Sequence, residues 1–247
     1  MFERALIAFV DVLSEEVMLE ADLTRHGRVG AVSMGDILGA GTFGIVFKGY
    51  HHGLKQVVAI KSVDLSKFKK ANRKKQRQKL DREIGIMQKC NHKNIVKLID
   101  FLHDGDSKVL LVVPFCGGGD LYEFMENRKW PMEEEDAHRF AKQIADGLLY
   151  LHSQSPPIIH RDLKPQNILM SRKHKKATIF IADFGEARLK EQVVGKTMLR
   201  TLAGTAPYMA PEILSATESV DTDLQYGSCG IYIFSLSLYI ASVHCDL

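Results

Sequence analysis

His160-Arg161-Asp162-Leu163-Lys164-Pro165-Gln166-Asn167, followed sixteen residues later by Asp183-Phe184-Gly185, carries the most chemistry in this chain. Asp162 offers a carboxylate that can accept the proton of an incoming hydroxyl as a new bond forms. Asn167 supplies a neutral oxygen and Asp183 a charged one, a ligand pair that suits Mg²⁺. Lys164 puts an ammonium two residues from the carboxylate, where it can steady a transferring phosphoryl group. Each residue alone has a plain structural reading: Asp162 as a turn former, Asn167 as a cap, Asp183 as an N-cap. The order and spacing of all of them make the functional reading the stronger one.

Towards the N-terminus stands Gly39-Ala-Gly-Thr-Phe-Gly44-Ile-Val46. Gly39, Gly41 and Gly44 let a backbone approach phosphates closely and offer N–H donors. Ile37-Leu38 precedes the glycines, and Ile45-Val46-Phe47 and then Val57-Val58-Ala59-Ile60 follow, so the pattern is a β-hairpin with a third strand. A dinucleotide-binding fold is excluded by that context, because its glycine motif opens a helix. Lys61 ends the third strand within reach of the same phosphates, while Val46 and Ala59 face an adenine. The competing reading for Lys61 is a surface lysine snorkelling from a strand. A helix over about Lys74 to Cys90 follows, with Leu80, Ile84 and Met87 on one inward face. Glu83 shares that face, and an inward carboxylate requires a cation, which Lys61 supplies.

Strands are expected over Ile95 to Phe101 and Val109 to Val113, then a flexible connector, Pro114-Phe-Cys-Gly-Gly-Gly119. Helices are expected over Asp120 to Glu126 and Met132 to Leu151. The class is therefore α+β with two lobes: a β-rich first lobe with one main helix, and a mostly helical second. Residues 1–33 read as an extension outside the core, 34–116 as the first lobe and 117–247 as part of the second. Arg161 needs an anion. Arg82 and Arg188 can converge with it into a phosphate receptor, or the three can pair with acids such as Glu186 and Glu191. Among Thr197, Thr201 and Thr205, Thr201 is the preferred phosphorylation site.

The 247 residues are 45% hydrophobic and 26% charged, with a net charge of +3, which argues against a general nucleic-acid binder. The charge is uneven: residues 66–82 hold nine Lys or Arg against Asp81 alone, so this window carries +8 and the remainder −5. It reads as a solvated helix face or as a docking patch for an acidic partner or anionic membrane. The cysteines (90, 116, 229, 245) show neither metal-ligand spacing nor a disulfide framework, which points to a reduced, cytoplasmic setting. No basic region precedes the apolar patch at Leu6 to Val10, which argues against a secretory signal. The run Ile231 to Val243 is short for a membrane span and reads as a buried helix.

With Ala210-Pro-Glu212, these motifs resemble the eukaryotic protein kinases over about Met34 to Leu214, and Lys164 with Gly204-Thr-Ala-Pro-Tyr-Met-Ala-Pro-Glu212 resembles the serine/threonine branch. The resemblance implies ATP and Mg²⁺ as cofactors. Asp162, Lys164, Lys61 and Glu83 would be catalytic, with Lys61 on the α- and β-phosphates, and Asn167 and Asp183 would hold the metal. An adenine pocket would use Leu38, Val46, Ala59, Pro114, Cys116 and Leu169, with Val113 guarding the space behind. Leu98, Met87, Phe184 and His160 would form an aligning hydrophobic stack. Regulation would fall to Thr201 with Arg82, Arg161 and Arg188, served by an upstream kinase or trans-autophosphorylation.

Val46-Phe-Lys-Gly-Tyr50, Asn94-Ile-Val96, Cys116-Gly-Gly-Gly-Asp-Leu121, Ile158 to Leu169 and the polar insert Ser171 to Lys176 are similar to the autophagy-initiating (ULK) group. Beyond Glu212 the chain departs from the family. The usual Asp-x-Trp-Ser-x-Gly is replaced by Thr222-Asp-Leu-Gln-Tyr-Gly-Ser-Cys-Gly230, with Asp223 the best anchor candidate, and the second lobe reads as incomplete. Two functions follow: a Ser/Thr kinase acting on protein hydroxyls, or a nucleotide-binding but catalytically incompetent module, with a partner covering the incomplete lobe.

Overall fold

The computed structural model describes residues 26–41, 44–126, 133–189, 205 and 208. The chain divides into two units, one holding residues 26–77 and 98–115, the other 78–97 and the described residues from 116 onward.

Six strands build the first unit: β1 (Arg28–Val29), β2 (Val32–Gly41), β3 (Gly44–His51), β4 (Gln56–Asp64), β5 (Asp100–Asp104) and β6 (Lys108–Pro114). They form one antiparallel sheet in the order β1-β2-β3-β4-β6-β5. Side chains alternate between the faces of a strand, and β-branched residues fit such a half-buried surface. Val58 and Ile60 of β4 therefore join Val32, Met34, Leu110 and Val112 in a fully buried cluster, with Phe47, Ile99 and Leu102 packed against it. Val57, Ala59 and Lys61 take the other face. The strand pattern begins slightly earlier than its first apolar residues suggest, with Val32 completely buried.

Helix α1 (Lys70–Lys89) starts four residues before the expected Lys74. Arg73 explains the gain: its guanidinium donates to the carbonyls of Phe68 and Ser66, both at 3.0 Å, holding the approach to the first turn. The chain passes from the first unit to the second within this helix.

The second unit contains the rest of α1, α2 (Leu121–Glu126), α3 (Glu134–His152) and two small ladders, β7 (Ile158–Ile159) with β10 (Arg188–Leu189) and β8 (Ile168–Met170) with β9 (Ile179–Ile181). In α3, Ala137, Phe140, Ile144, Leu148 and Leu151 recur at helical spacing and are buried. Glu134, Glu135 and Asp136 crowd its first turn, where the helix dipole favours negative charge.

Two local expectations change. The apolar run from Ile95 to Phe101 is not one strand. Asn94 to Val96 pair with β9, through Val96 N–H to the Ile181 carbonyl and Ile181 N–H to the Asn94 carbonyl, each at 2.9 Å, whereas the strand beside β6 starts at Asp100. A single apolar run thus satisfies its backbone against two different partners. Nor is the glycine connector loose. Gly118 N–H donates to the Met170 carbonyl at 3.0 Å, and Met170 N–H donates to Gly119 at 2.9 Å. A Cβ at Gly118 would lie 2.6 Å from the Met170 carbonyl oxygen, so close backbone packing demands glycine there. Residues 1–25, the expected helix over 231–243, Asp223 and Ala210-Pro-Glu212 lie outside the described residues.

Candidate active site

In the first unit, strand register sorts the candidate residues onto one face. Gly39 lies opposite Val46, Val46 opposite Lys61, and Ala59 opposite Val113. Directly opposed residues point to the same side of a sheet, and so do residues two apart on one strand. Gly39, Val46, Ala59, Lys61 and Val113 therefore share the face opposite the buried Val58 and Ile60. Gly41 and Gly44 are register partners at the end of the β2–β3 pairing.

The three glycines are not there for one reason. Gly44 has φ +155°, and a Cβ on it would collide with the Ser62 carbonyl oxygen, so the sheet itself requires glycine. Among the described residues nothing lies within 4 Å of such an atom at Gly39 or Gly41, and neither has a left-handed backbone. No described neighbour requires glycine at these two positions. The open space in front of them is what a ligand approaching the backbone would use. Leu38 beside them is 47% exposed, an uncovered apolar side chain at the same edge. Pro114 is exposed and closes β6.

In the second unit the catalytic-type residues are joined by direct hydrogen bonds. Lys164 Nζ lies 2.9 Å from Asp162 Oδ2, and Asn167 Nδ2 donates to the same oxygen at 3.1 Å and to the Asp162 carbonyl at 2.7 Å. Thr205 completes the group: its hydroxyl donates to Asp162 Oδ1 at 2.9 Å and accepts from Lys164 Nζ at 2.9 Å. The sequence suggested Thr205 as a phosphorylation candidate. A phosphate on this oxygen would bring a dianion against the Asp162 carboxylate, so its place is in the catalytic group and not among the regulatory threonines. Thr197 and Thr201 lie outside the described residues.

His160 links this loop to Asp183. The ring is buried and its Nε2 sits 3.0 Å from the Ala182 carbonyl. A carbonyl can only accept, so Nε2 carries the proton and Nδ1 accepts from Asp162 N–H at 3.4 Å. Burial holds the imidazole pKa below its ordinary value, which keeps this neutral tautomer. Ala182 N–H donates in turn to the Asn167 carbonyl at 2.9 Å. The residue before Asp183 is thus held by both ends of the His160–Asn167 segment. Phe184 is fully buried with its ring edge-on to His160 at 5.2 Å, and Met87 is buried in the same unit. Arg161 (φ +70°) and Asp183 (φ +60°) both hold left-handed backbones, a strain that persists in non-glycine residues only where surrounding contacts over-determine it. Leu169 is half-buried on β8, and burial pushes the Cys116 thiol up to about 11, leaving it an inert lining group.

Glu83 is buried on α1, with its carboxylate near Gly185. Arg82, Arg161 and Arg188 do gather. Burial lowers both Arg161 and Arg188; the charge of Arg82 lowers Arg161 further, and those of Arg82 and Arg161 lower Arg188, which falls to about 10. Glu186 opposes this effect in both, so it shares their field, while its direct ion pair is with Lys79.

Residues 32–241 match the protein kinase domain model. This chain belongs to the protein kinase family. The kinase is 37% identical to serine/threonine-protein kinase ATG1b of Arabidopsis thaliana over 88% of its length, and 38% identical to serine/threonine-protein kinase ULK1 of Homo sapiens over 76%. Myosin light chain kinase A of Dictyostelium discoideum is 36% identical over 81% of the chain. The chain spans 29%, 18% and 63% of these relatives. What sequence reading missed in the kinase is Thr205 as a partner of Asp162, and Lys79 as the partner of Glu186. A threonine lacks a distinctive spacing signal, and Lys79 is hidden in a run of nine basic residues.

Proposed function

We propose that this chain transfers the γ-phosphoryl group of ATP to serine or threonine hydroxyls of protein substrates. The observation that carries the reading is the bonded group Asp162–Lys164–Asn167–Thr205, with a carboxylate held for one task. Asp162 Oδ2 already accepts from Lys164 and Asn167, whereas Oδ1 accepts from Thr205 and keeps a second lone pair. Oδ1 is therefore the atom that takes the acceptor hydroxyl's proton. As that proton leaves, the hydroxyl oxygen bonds to the γ-phosphorus, and the bond from phosphorus to the bridging oxygen breaks to release ADP. Lys164 has three N–H groups, two of them engaged, which leaves one for the transferring group. The open backbone at Gly39 and Gly41 receives phosphates, with Lys61 on the same sheet face; Val46 and Ala59 offer apolar contact to the base.

The donor set fits Mg²⁺. Both hydrogen bonds of the Asn167 amide use Nδ2, which turns its oxygen into the available ligand, and Asp183 adds a charged oxygen. Mg²⁺ commonly completes its shell with substrate phosphates and a few protein oxygens. When bound, the ion supplies charge neutralisation to the phosphate oxygens. Arg82, Arg161 and Arg188 receive a phosphate on Thr201, placed there by an upstream kinase or in trans by a second copy. Similarity to the ATG1 and ULK kinases favours a cytoplasmic role in autophagy initiation. No helix among the described residues is long and apolar enough to cross a membrane.

The test is phosphate transfer from Mg-ATP to a generic basic protein by the 247-residue chain and its Asp162→Asn variant. Activity in the first alone supports the reading. ATP binding without turnover in either would favour a nucleotide-binding interaction module instead.

A further inference from the structure

An ion pair fastens the helix that carries Glu83 to the turn that carries Asp183. Lys79 stands one helical turn before Glu83, so the two side chains leave α1 on the same side. Lys79 Nζ meets Glu186 Oε1 at 2.5 Å. Glu186 is the last residue of the short 3-10 turn Phe184–Glu186, which Asp183 caps by accepting from Gly185 N–H at 3.4 Å. Gly185 lies in the gap between these parts. A Cβ on it would be 3.3 Å from Asp183 Oδ1, 3.7 Å from Glu83 Oε2 and 3.8 Å from Lys79 Cε. The Asp183 turn and the Glu83–Lys79 face of α1 are therefore in direct packing.

Exposure separates this pair from an ordinary surface contact. The Lys79 and Glu186 side chains are 19% and 29% exposed, against 71% and 29% for Lys93 with Asp146. Exposed pairs contribute little, but removing one partner of a largely desolvated pair leaves the other charge uncompensated. Glu186 has further cations around it, since Arg161 and Arg188 both feel its charge. Lys79 is the cation that meets its carboxylate directly.

Resting on the kinase reading above, we propose that Lys79 and Glu186 are positioning residues for phosphoryl transfer: their ion pair holds the Glu83 helix and the Asp183 turn in one arrangement. Neither touches the reacting atoms. Their effect reaches the reaction through the carboxylates of Glu83 and Asp183, which the pair brings into register.

The experiment is a double-mutant cycle on the full 247-residue chain with Lys79→Met, Glu186→Gln and both together, with Lys79→Arg as the conservative variant. Lys74→Met, on the exposed stretch of the same helix, serves as control. Each single change is expected to lower kcat about tenfold with KM for ATP held within about twofold, and the double to lose no more than either single. Lys79→Arg should retain most of the wild-type kcat, and Lys74→Met all of it. Losses that multiply to about a hundredfold, or single variants with wild-type kcat, would overturn the proposal. Amide hydrogen exchange over residues 83–90 gives a second readout that needs no turnover. Faster exchange in each single variant, with no further rise in the double, supports the strut, and unchanged exchange sinks it. An inactive wild-type chain would count against the kinase activity, while the exchange result would still decide the role of Lys79 and Glu186.

Discussion

The two units present their candidate residues for the proposed phosphate chemistry in opposite ways. In the first, the candidate face is built from backbone, glycine and short apolar side chains. The phosphate-binding role proposed for it rests on what is left out, namely a Cβ at Gly39 and Gly41. In the second, the candidate group is built from polar side chains that fix one another, with Asp162 accepting hydrogen bonds from Lys164, Asn167 and Thr205 and two non-glycine residues held at positive φ. A regular sheet can present a surface without strain. A carboxylate aimed at one proton needs several donors to hold it, and one of them, Thr205, comes from 43 residues away. The lesson is that the candidate face of the first unit should be sensitive to added bulk, and the polar group of the second to loss of any one side chain.

The strongest way to break this contrast is Asp162→Asn. If Asp162 is the base, phosphoryl transfer should fall by about 10² to 10⁴-fold while nucleotide affinity, read by calorimetry, stays close to wild type. An equal loss of binding and turnover would remove it from that role. Next comes Thr205→Val, which keeps the shape and deletes the hydroxyl shared by Asp162 and Lys164. Turnover should drop about ten- to a hundredfold, as expected for hydrogen bonds to charged groups, and Thr205→Ser should restore most of it. If valine is harmless, the bonded group is packing and not chemistry.

The remaining predictions concern the sheet. Gly49→Ala would place a Cβ 2.4 Å from the Ser33 carbonyl oxygen and against Ile60, so the urea midpoint should fall by an amount equivalent to about 1–3 kcal/mol. Gly41→Ala meets no described residue within 4 Å. Its midpoint should be unchanged within about 0.5 kcal/mol, and KM for ATP should rise by a few-fold. Equal destabilisation by both alanines would show that Gly41 serves the fold, and the comparison between the two units would lose its basis.

Periodicity was enough to read much of this molecule. The apolar stretch Val57 to Ile60 marks a strand that ends at Lys61, and the spacing of Leu80, Glu83, Ile84 and Met87 puts a carboxylate on an inward helix face. The apolar run after Ile95 was misread as one strand because composition cannot say which strand will accept its hydrogen bonds. The connector at Gly117 to Gly119 was misread as loose because close approach of two backbones leaves no mark except glycine itself.

By itself the sequence determined the chemical parts list: Asp162, Lys164, Asn167, Asp183, the glycine hairpin and Lys61, each set by short-range order and local periodicity. The tertiary structure decided which parts touch. It gave Thr205 to Asp162, fixed the proton of His160 on Nε2 through the Ala182 carbonyl, and chose Glu186 for Lys79 out of nine nearby basic residues. Local propensity acts over a turn or a strand, whereas a hydrogen bond between residues 43 apart depends on every element packed between them.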